Sequence, residues 1–468
     1  MTQINFGTDG WRAIIAKEFT TDNVARLSLA VAEFLNEKND NSSVVIGHDC
    51  RFAGNLFAET VAKVLATKGI RVLLAKGFVS TPMVSLGVVN YNANLGVVIT
   101  ASHNPPSYNG FKLKGDFGGP LLPEDISNVE NRIPEINSVD IDSINLKDLE
   151  SKGILEFVDL ESDYCNHAEK SFDLDSIRNS GLKLAYDSMY GAGKNVINRL
   201  LPETLQIHTE DNPGFQNQAP EPIHRNLLEF SELIKVEGDI DCGLATDGDA
   251  DRIGLYNSKG EFVDSHHIIL LLIHYLVKYK RMSGKVVTAF SCSVKVKQIC
   301  DFYNLEQETV KIGFKHIAGK MIKENVLLGG EESGGIATAG HIPERDGIWM
   351  GLILFEFMAK SGKKLEDLIN EVYQIVGPFS FERIDLHIPN DIKNKIVENC
   401  KEGKYTSFGK YDVSRIETTD GFKFFFDDDT WLMIRPSGTE PVLRTYAESS
   451  SKEKCFDILE ETRKTLLD

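Results

Sequence analysis

A chain of 468 residues, 42% hydrophobic and 26% charged, is built for globular domains with substantial cores, about three or four of them at ~150 residues each. Its formal net charge of −18 disfavours broad binding to nucleic acid or to an anionic membrane, because a large negative field repels both; an anionic small substrate would need arginine and lysine concentrated in one cleft. Seven scattered cysteines (Cys50, Cys165, Cys242, Cys292, Cys300, Cys400, Cys455) without a CxxC pair argue against a disulfide framework or zinc knuckle and for a cytoplasmic setting.

The opening residues, MTQINFGTDGWR, lack a basic stretch leading into an apolar core, so no signal peptide is expected. A unit then recurs three times at low identity: an apolar β-branched run, a polar turn, a helical stretch and a second apolar run. The paired runs are residues 44–46 and 96–99, then 182–186 and 242–245, then 286–288 and 326–328. Short apolar runs without alternation, separated by helical periods, predict buried parallel strands in α/β layers. Each second run leads into a chemically loaded turn (TASHNP, TDGDADR, GGEESGG), and ligands of parallel sheets gather beyond the carboxyl ends of the strands.

Residues 133–161, rich in Asp, Glu, Ser and Asn, read as a surface connection into the second unit, and Asn257-Ser258-Lys259-Gly260 as the turn before the third. The apolar stretches 268–273 and 348–355 are far too short to span a bilayer. Gly377-Pro378 ends the helical pattern of residues 364–376. Beyond it, residues 422–426, 431–434 and 442–447 predict antiparallel strands and 451–467 a closing helix. The expected fold class is α/β, with three similar units at 1–145, 146–257 and 258–377 and a smaller α+β unit at 378–468.

Within TASHNP, Ser102 offers a hydroxyl at a rigid strand end, where a neighbour or metal can activate it; an ordinary Ser/Asn-Pro turn is the plain alternative. In DGDADR, Asp247, Asp249 and Asp251 alternate with small residues, so a tight loop can converge three carboxylates on one cation. An EF-hand is excluded, because Arg252 stands where its glycine belongs and Ser258 where its glutamate belongs. Oxygen-only ligands favour magnesium or manganese over zinc, and Arg252 can neutralise an adjacent phosphoryl group. The segment RPSGTEP supplies Arg435, two hydroxyls and backbone NH groups near Gly438 for a phosphate cradle, with a plain β-turn as the alternative. No GxxxxGK[ST] occurs, which disfavours a P-loop nucleotide enzyme. GEESGG offers acceptors for sugar hydroxyls, and GTDGWR brings Arg12 just past a glycine-flanked turn; a bland glycine loop is the alternative for each.

FGTDGWR, TASHNPPSYNGFK, DGDADR, GEESGG and RPSGTEP, in this order across nearly the whole chain, resemble the α-D-phosphohexomutase family of phosphoglucomutases and phosphomannomutases. The resemblance implies four domains around one deep cleft and a phosphohexomutase that interconverts hexose 1-phosphate and hexose 6-phosphate, glucose first and mannose alongside. It implies Ser102 as the phosphoserine, with Asp247, Asp249 and Asp251 holding Mg²⁺ beside it. Arg252 would sit near the phosphoserine, and Arg12 and Lys112 would assist transfer. Glu331 and Ser333 would bind sugar hydroxyls, and Gly313, Phe314 and Lys315 would sense sugar orientation. Arg435, Ser437, Gly438 and Thr439 would grip the distal phosphate. A hexose 1,6-bisphosphate would be both intermediate and activator, the hexose phosphate the partner, and the chain a monomer or homodimer.

Two positions depart from the family pattern. Gly335 stands where some members carry a His, and Arg345, in HIPERDG, where others carry a Lys. Arginine stays protonated far above neutral pH, so a base at Arg345 is not expected; Lys112 and His103 are the alternatives, and Arg345 is left as a substrate contact. Phosphoglucosamine or phosphopentose mutase chemistry, a metal-dependent sugar-phosphate phosphatase and a noncatalytic sugar-phosphate sensor are the competing readings.

Overall fold

The computed structural model describes residues 3–38, 41–437 and 441–467. Three sheets repeat one arrangement. The first contains β1 (Trp11–Ile14), β2 (Ser43–His48), β3 (Arg71–Ala75), β4 (Leu95–Ile99), β5 (Tyr108–Gly115) and β6 (Leu155–Val158), in the order β1-β5-β4-β2-β3-β6. The second contains β7 (Leu184–Asp187), β8 (Leu205–Ile207), β9 (Cys242–Thr246), β10 (Ile253–Asn257) and β11 (Phe262–Val263), in the order β11-β10-β9-β7-β8. The third contains β12 (Lys285–Ala289), β13 (Gln307–Val310), β14 (Val326–Gly330) and β15 (Ile336–Thr338), in the order β13-β12-β14-β15.

In each unit the two apolar runs lie side by side and parallel: β2 with β4, β7 with β9, β12 with β14. The second run is buried along its whole length each time, which is why it shows no alternation. The sheets are not purely parallel, however. After each motif loop the chain returns antiparallel, pairing β4 with β5, β9 with β10 and β14 with β15. An antiparallel return needs only a short connection, so each motif is pinned between two adjacent strands.

Two expected boundaries move. The strand β6 pairs parallel with β3, so the first sheet extends beyond residue 145 and takes in part of the expected connector. Its charged neighbours hid it, because this edge strand buries only Leu155 and Val158. The turn at 257–260 is the hairpin joining β10 to β11, inside the second sheet.

Helix Gly347–Ser361 packs between the second and third units and buries nearly its whole surface. The Asp346 carboxylate caps it by accepting the Trp349 NH at 2.9 Å, and Gly362 ends it in a left-handed conformation. The fourth unit is an antiparallel sheet of Ser380–His387, Val442–Ser449, Trp431–Pro436, Phe422–Phe425 and Arg415–Glu417, in that order, with helices Asn390–Lys401 and Lys452–Leu467. It meets the third unit where Phe290 packs with Phe425, Trp431, Met433 and Tyr446.

Candidate active site

Ser102 follows β4 in a left-handed backbone conformation (φ 53°). Its NH donates to Thr100 Oγ1 at 2.8 Å, and its own hydroxyl donates to Asp247 Oδ2 at 2.7 Å. The loop from β9 to β10 curls through a left-handed Ala250, so that carboxylate oxygens of Asp247, Asp249 and Asp251 lie within 4.8 Å of one another, all three side chains buried. Asp247 Oδ1 accepts the Arg252 NH at 3.0 Å.

A buried Lys112 stands under this loop, opposite Val98 in the β4–β5 register. Its Nζ contacts Asp249 Oδ2 at 2.8 Å, Asp251 Oδ2 at 2.9 Å and Asp9 Oδ2 at 2.9 Å. Arg345 reaches Asp9 Oδ2 at 2.6 Å and Asp251 Oδ2 at 2.9 Å. Thr81 donates to Asp249 Oδ2 at 2.5 Å. The outer oxygens of Asp249 and Asp251 have no hydrogen-bond partner although both are buried. Two orphaned carboxylate oxygens beside the Ser102–Asp247 pair are what an oxygen-ligated divalent cation would satisfy, so the residues fit magnesium.

The electrostatics point the same way. Burial, then repulsion from Asp251 and Asp249, pushes the Asp247 carboxyl well above the ordinary carboxylate range. Burial acts upward on Asp249 and Asp9 too, but Lys112 on the first and Arg345 with Lys112 on the second outweigh it and hold both low. His103 Nδ1 lies 3.4 Å from Ser102 Oγ. Its burial, reinforced by Arg252, Arg12, Lys112 and Arg51, holds the imidazole well below its usual range and therefore neutral at pH 7. Lys112 is the opposite case: burial opposes its charge, yet the three carboxylates raise its pKa.

Arg12 donates to Asn104 Oδ1 at 2.6 Å and lies 3.7 Å from Asp9, which places it over the Ser102 loop. Arg252 turns its guanidinium toward Glu221 at 3.4 Å. In the third unit, Glu331 Oε1 accepts the Gly313 NH at 2.9 Å, which ties the 313–315 loop to GEESGG. The Arg345 guanidinium lies over the Phe314 ring at 5.4 Å and so links this loop to the acidic triad. Arg345 thus faces Asp9 and Asp251 from a buried position. Ser333 is half-buried on the turn between β14 and β15, and Lys315 half-buried on helix Phe314–Met321.

Arg435 pairs with Asp420 at 3.3 Å, and Asp420 also accepts the Ile312 NH at 2.9 Å, so the fourth unit anchors the same loop. The Ser437 NH donates to Val442 O at 2.9 Å. Gly438 and Thr439 lie outside the described residues.

Sequence reasoning passed over Asp9 and Thr81. Asp9 lay inside GTDGWR, where a carboxylate in a glycine turn beside a singled-out arginine was the available signal. Thr81 begins helix Thr81–Asn90 and carries no motif.

The two departures, Gly335 and Arg345, are sterically one feature. A Cβ at Gly335 would fall 2.5 Å from Arg345 Cδ. Gly335→Ala is expected to displace Arg345, lowering stability by ~1–3 kcal/mol and kcat with it. Adding Arg345→Lys should recover part of both, as read by thermal unfolding and steady-state rates; additive losses would show that the two positions are independent.

Comparison with known proteins places this geometry among relatives. Family models for phosphoglucomutase/phosphomannomutase match in four parts: α/β/α domain I at residues 3–140, domain II at 162–260, domain III at 264–376 and the C-terminal domain at 392–465. A phosphoglucomutase/phosphomannomutase of Thermococcus kodakarensis is 31% identical, over 97% of this chain and 96% of its own. A phosphoglucosamine mutase of Caldicellulosiruptor bescii is 30% identical, over 96% and 95%. A Thermus thermophilus crystal structure assigned as a phosphomannomutase superposes with a TM-score of 0.88 at 31% identity, covering both chains completely.

Proposed function

Since this chain belongs to the phosphoglucomutase/phosphomannomutase family of intramolecular phosphotransferases, we propose that it interconverts the 1- and 6-phosphates of glucose, and of mannose alongside, with Ser102 as phosphoryl carrier. The observation that carries this reading is the Ser102 hydroxyl 2.7 Å from Asp247, beside two buried carboxylate oxygens that lack partners.

Asp247, Asp249 and Asp251 would hold magnesium, which when bound polarises the phosphoryl oxygens. The remaining work falls to side chains. The bond from phosphorus to Ser102 Oγ breaks as the free hydroxyl of the hexose phosphate bonds to the same phosphorus, and a hexose 1,6-bisphosphate results. The proton of that hydroxyl passes to His103, whose neutral imidazole is a competent acceptor, and from it to the departing Ser102 Oγ 3.4 Å away, whereas Lys112 is held protonated by three carboxylates. Arg12 offsets charge on the transferring group, since phosphoryl transfer depends on positioning and neutralisation more than on covalent activation. Arg435 and Ser437 grip the distal phosphate, and Glu331 and Ser333 orient the sugar. The bisphosphate then turns round and returns its other phosphoryl group to Ser102, whose hydroxyl proton passes by way of His103 to the sugar oxygen that leaves phosphorus. The sequence pattern of seven scattered cysteines without a CxxC pair supports a cytoplasmic setting for this activity. No helix among the described residues is long and apolar enough to cross a membrane.

The Caldicellulosiruptor relative favours a second reading, glucosamine phosphate as substrate. A coupled assay of glucose, mannose and glucosamine 1-phosphates, with Mg²⁺ and glucose 1,6-bisphosphate present, separates the two. We expect glucose to give the highest kcat/KM, with mannose within ~10-fold. Preference for glucosamine 1-phosphate would select the second reading, and inorganic phosphate released at the rate of turnover would make the protein a phosphatase.

A further inference from the structure

Arg51 belongs to no motif discussed so far, yet it grips the Ser102 loop along its whole length. Its Nη2 donates to the carbonyls of Ser102 and Asn104, both at 2.6 Å. Its Nη1 donates to those of Pro105 at 2.9 Å and Tyr108 at 3.1 Å. The side chain is wholly buried, with Nε 3.3 Å from Asp49 Oδ2. Asp49 in turn accepts from Thr100 Oγ1 at 2.6 Å, and Thr100 receives the Ser102 NH. The Asp49–Arg51 pair therefore holds the loop from both ends and locks Ser102 in its left-handed conformation. A planar fork of donors suits four carbonyls in a way that a single ammonium does not.

The second unit covers this grip. The Phe215 ring lies over the Arg51 guanidinium at 5.0 Å. Phe215, Gln216 and Asn217 are consecutive residues at φ 46°, 50° and 61°, a strained run that persists only where packing imposes it. A few residues on, Pro220 packs on Gly248 of the acidic loop, where a Cβ would fall 3.1 Å from Pro220 Cγ and 2.8 Å from Ser102 O. One strained strap thus presses on both the serine loop and the acidic loop.

We infer that Arg51 is the positioning residue of the phosphoryl-carrying loop and that Phe215 is the strap that keeps it engaged across the boundary between units. The inference rests on Ser102 being the carrier. Arg51 aims Ser102 Oγ at Asp247 and takes no part in binding the sugar, so its loss should appear in kcat and not in KM.

The test uses the full-length enzyme, glucose 1-phosphate with glucose 1,6-bisphosphate and Mg²⁺, and intact-mass measurement of phosphate on Ser102. Arg51→Lys is expected to lower kcat by roughly 100-fold with KM within about threefold, the loss expected of a misplaced reacting group. Phe215→Ala, which leaves every Arg51 hydrogen bond available, is expected to lower kcat by roughly tenfold and to decide the matter if Arg51→Lys does not fold. Added guanidinium should restore turnover to Arg51→Gly. Unchanged kcat in a folded Arg51→Lys or Phe215→Ala, or a KM that rises in step with the loss, overturns the inference while leaving the carrier reading intact. A wild-type enzyme that turns over without phosphate ever appearing on Ser102 overturns the carrier reading, and the inference with it.

Discussion

Ser102→Ala should abolish mutase turnover, a fall of at least ~10⁴-fold, while leaving the fold in place. No other hydroxyl named at the acidic loop replaces it: Thr81 is engaged with Asp249 and Thr100 with Asp49. The structural cost is small by comparison. Alanine meets the same left-handed backbone that serine already tolerates, and the lost hydroxyl removes one hydrogen bond to Asp247, worth ~1–2 kcal/mol. Steady-state rates, thermal unfolding and intact mass together check this. Substantial turnover in a folded variant would remove Ser102 from the chemistry.

Lys112→Met is the second large effect, and it falls on stability as well as rate. Methionine fills nearly the same volume but leaves Asp9, Asp249 and Asp251 without the ammonium that now touches all three. Arg345 still serves Asp9 and Asp251, whereas Asp249 keeps only Thr81. Removing one partner from a buried charge network costs ~3–5 kcal/mol, because the other charges remain buried and uncompensated. A divalent cation between the aspartates supplies part of the missing charge, so Mg²⁺ should raise the Tm of Lys112→Met more than that of the wild type. Scanning fluorimetry with and without Mg²⁺ reads this directly. We expect kcat to drop ~10²–10³-fold as the field at the transferring group weakens. A variant as stable as the wild type, with no greater response to Mg²⁺, would mean that the three carboxylates do not depend on Lys112.

Much of this architecture could be read from local pattern. The three pairs of apolar runs became the parallel cores of three sheets, and TASHNP, DGDADR and GEESGG each stand where a second run ends. Periodicity, turn chemistry and motif order act over a few residues, so one chain displays them. The return strand β5 was missed for an equally local reason: it carries Lys112 and Lys114 and shows no apolar run, yet both lysines are buried where they meet carboxylates from other units.

What sequence by itself determined, then, is the set of chemical groups: a hydroxyl at a strand end, three alternating carboxylates, a glycine-rich acceptor loop and an arginine-led cradle. Tertiary structure alone decided how they combine. Asp9 and Arg345 share a hydrogen bond across 336 residues, Gly335 clears the space that Arg345 fills, and Arg51 fastens a loop some fifty residues away beneath a ring from the next unit. Such contacts arise from the packing of separately formed units, and a buried charge takes its partner from whatever that packing brings within reach.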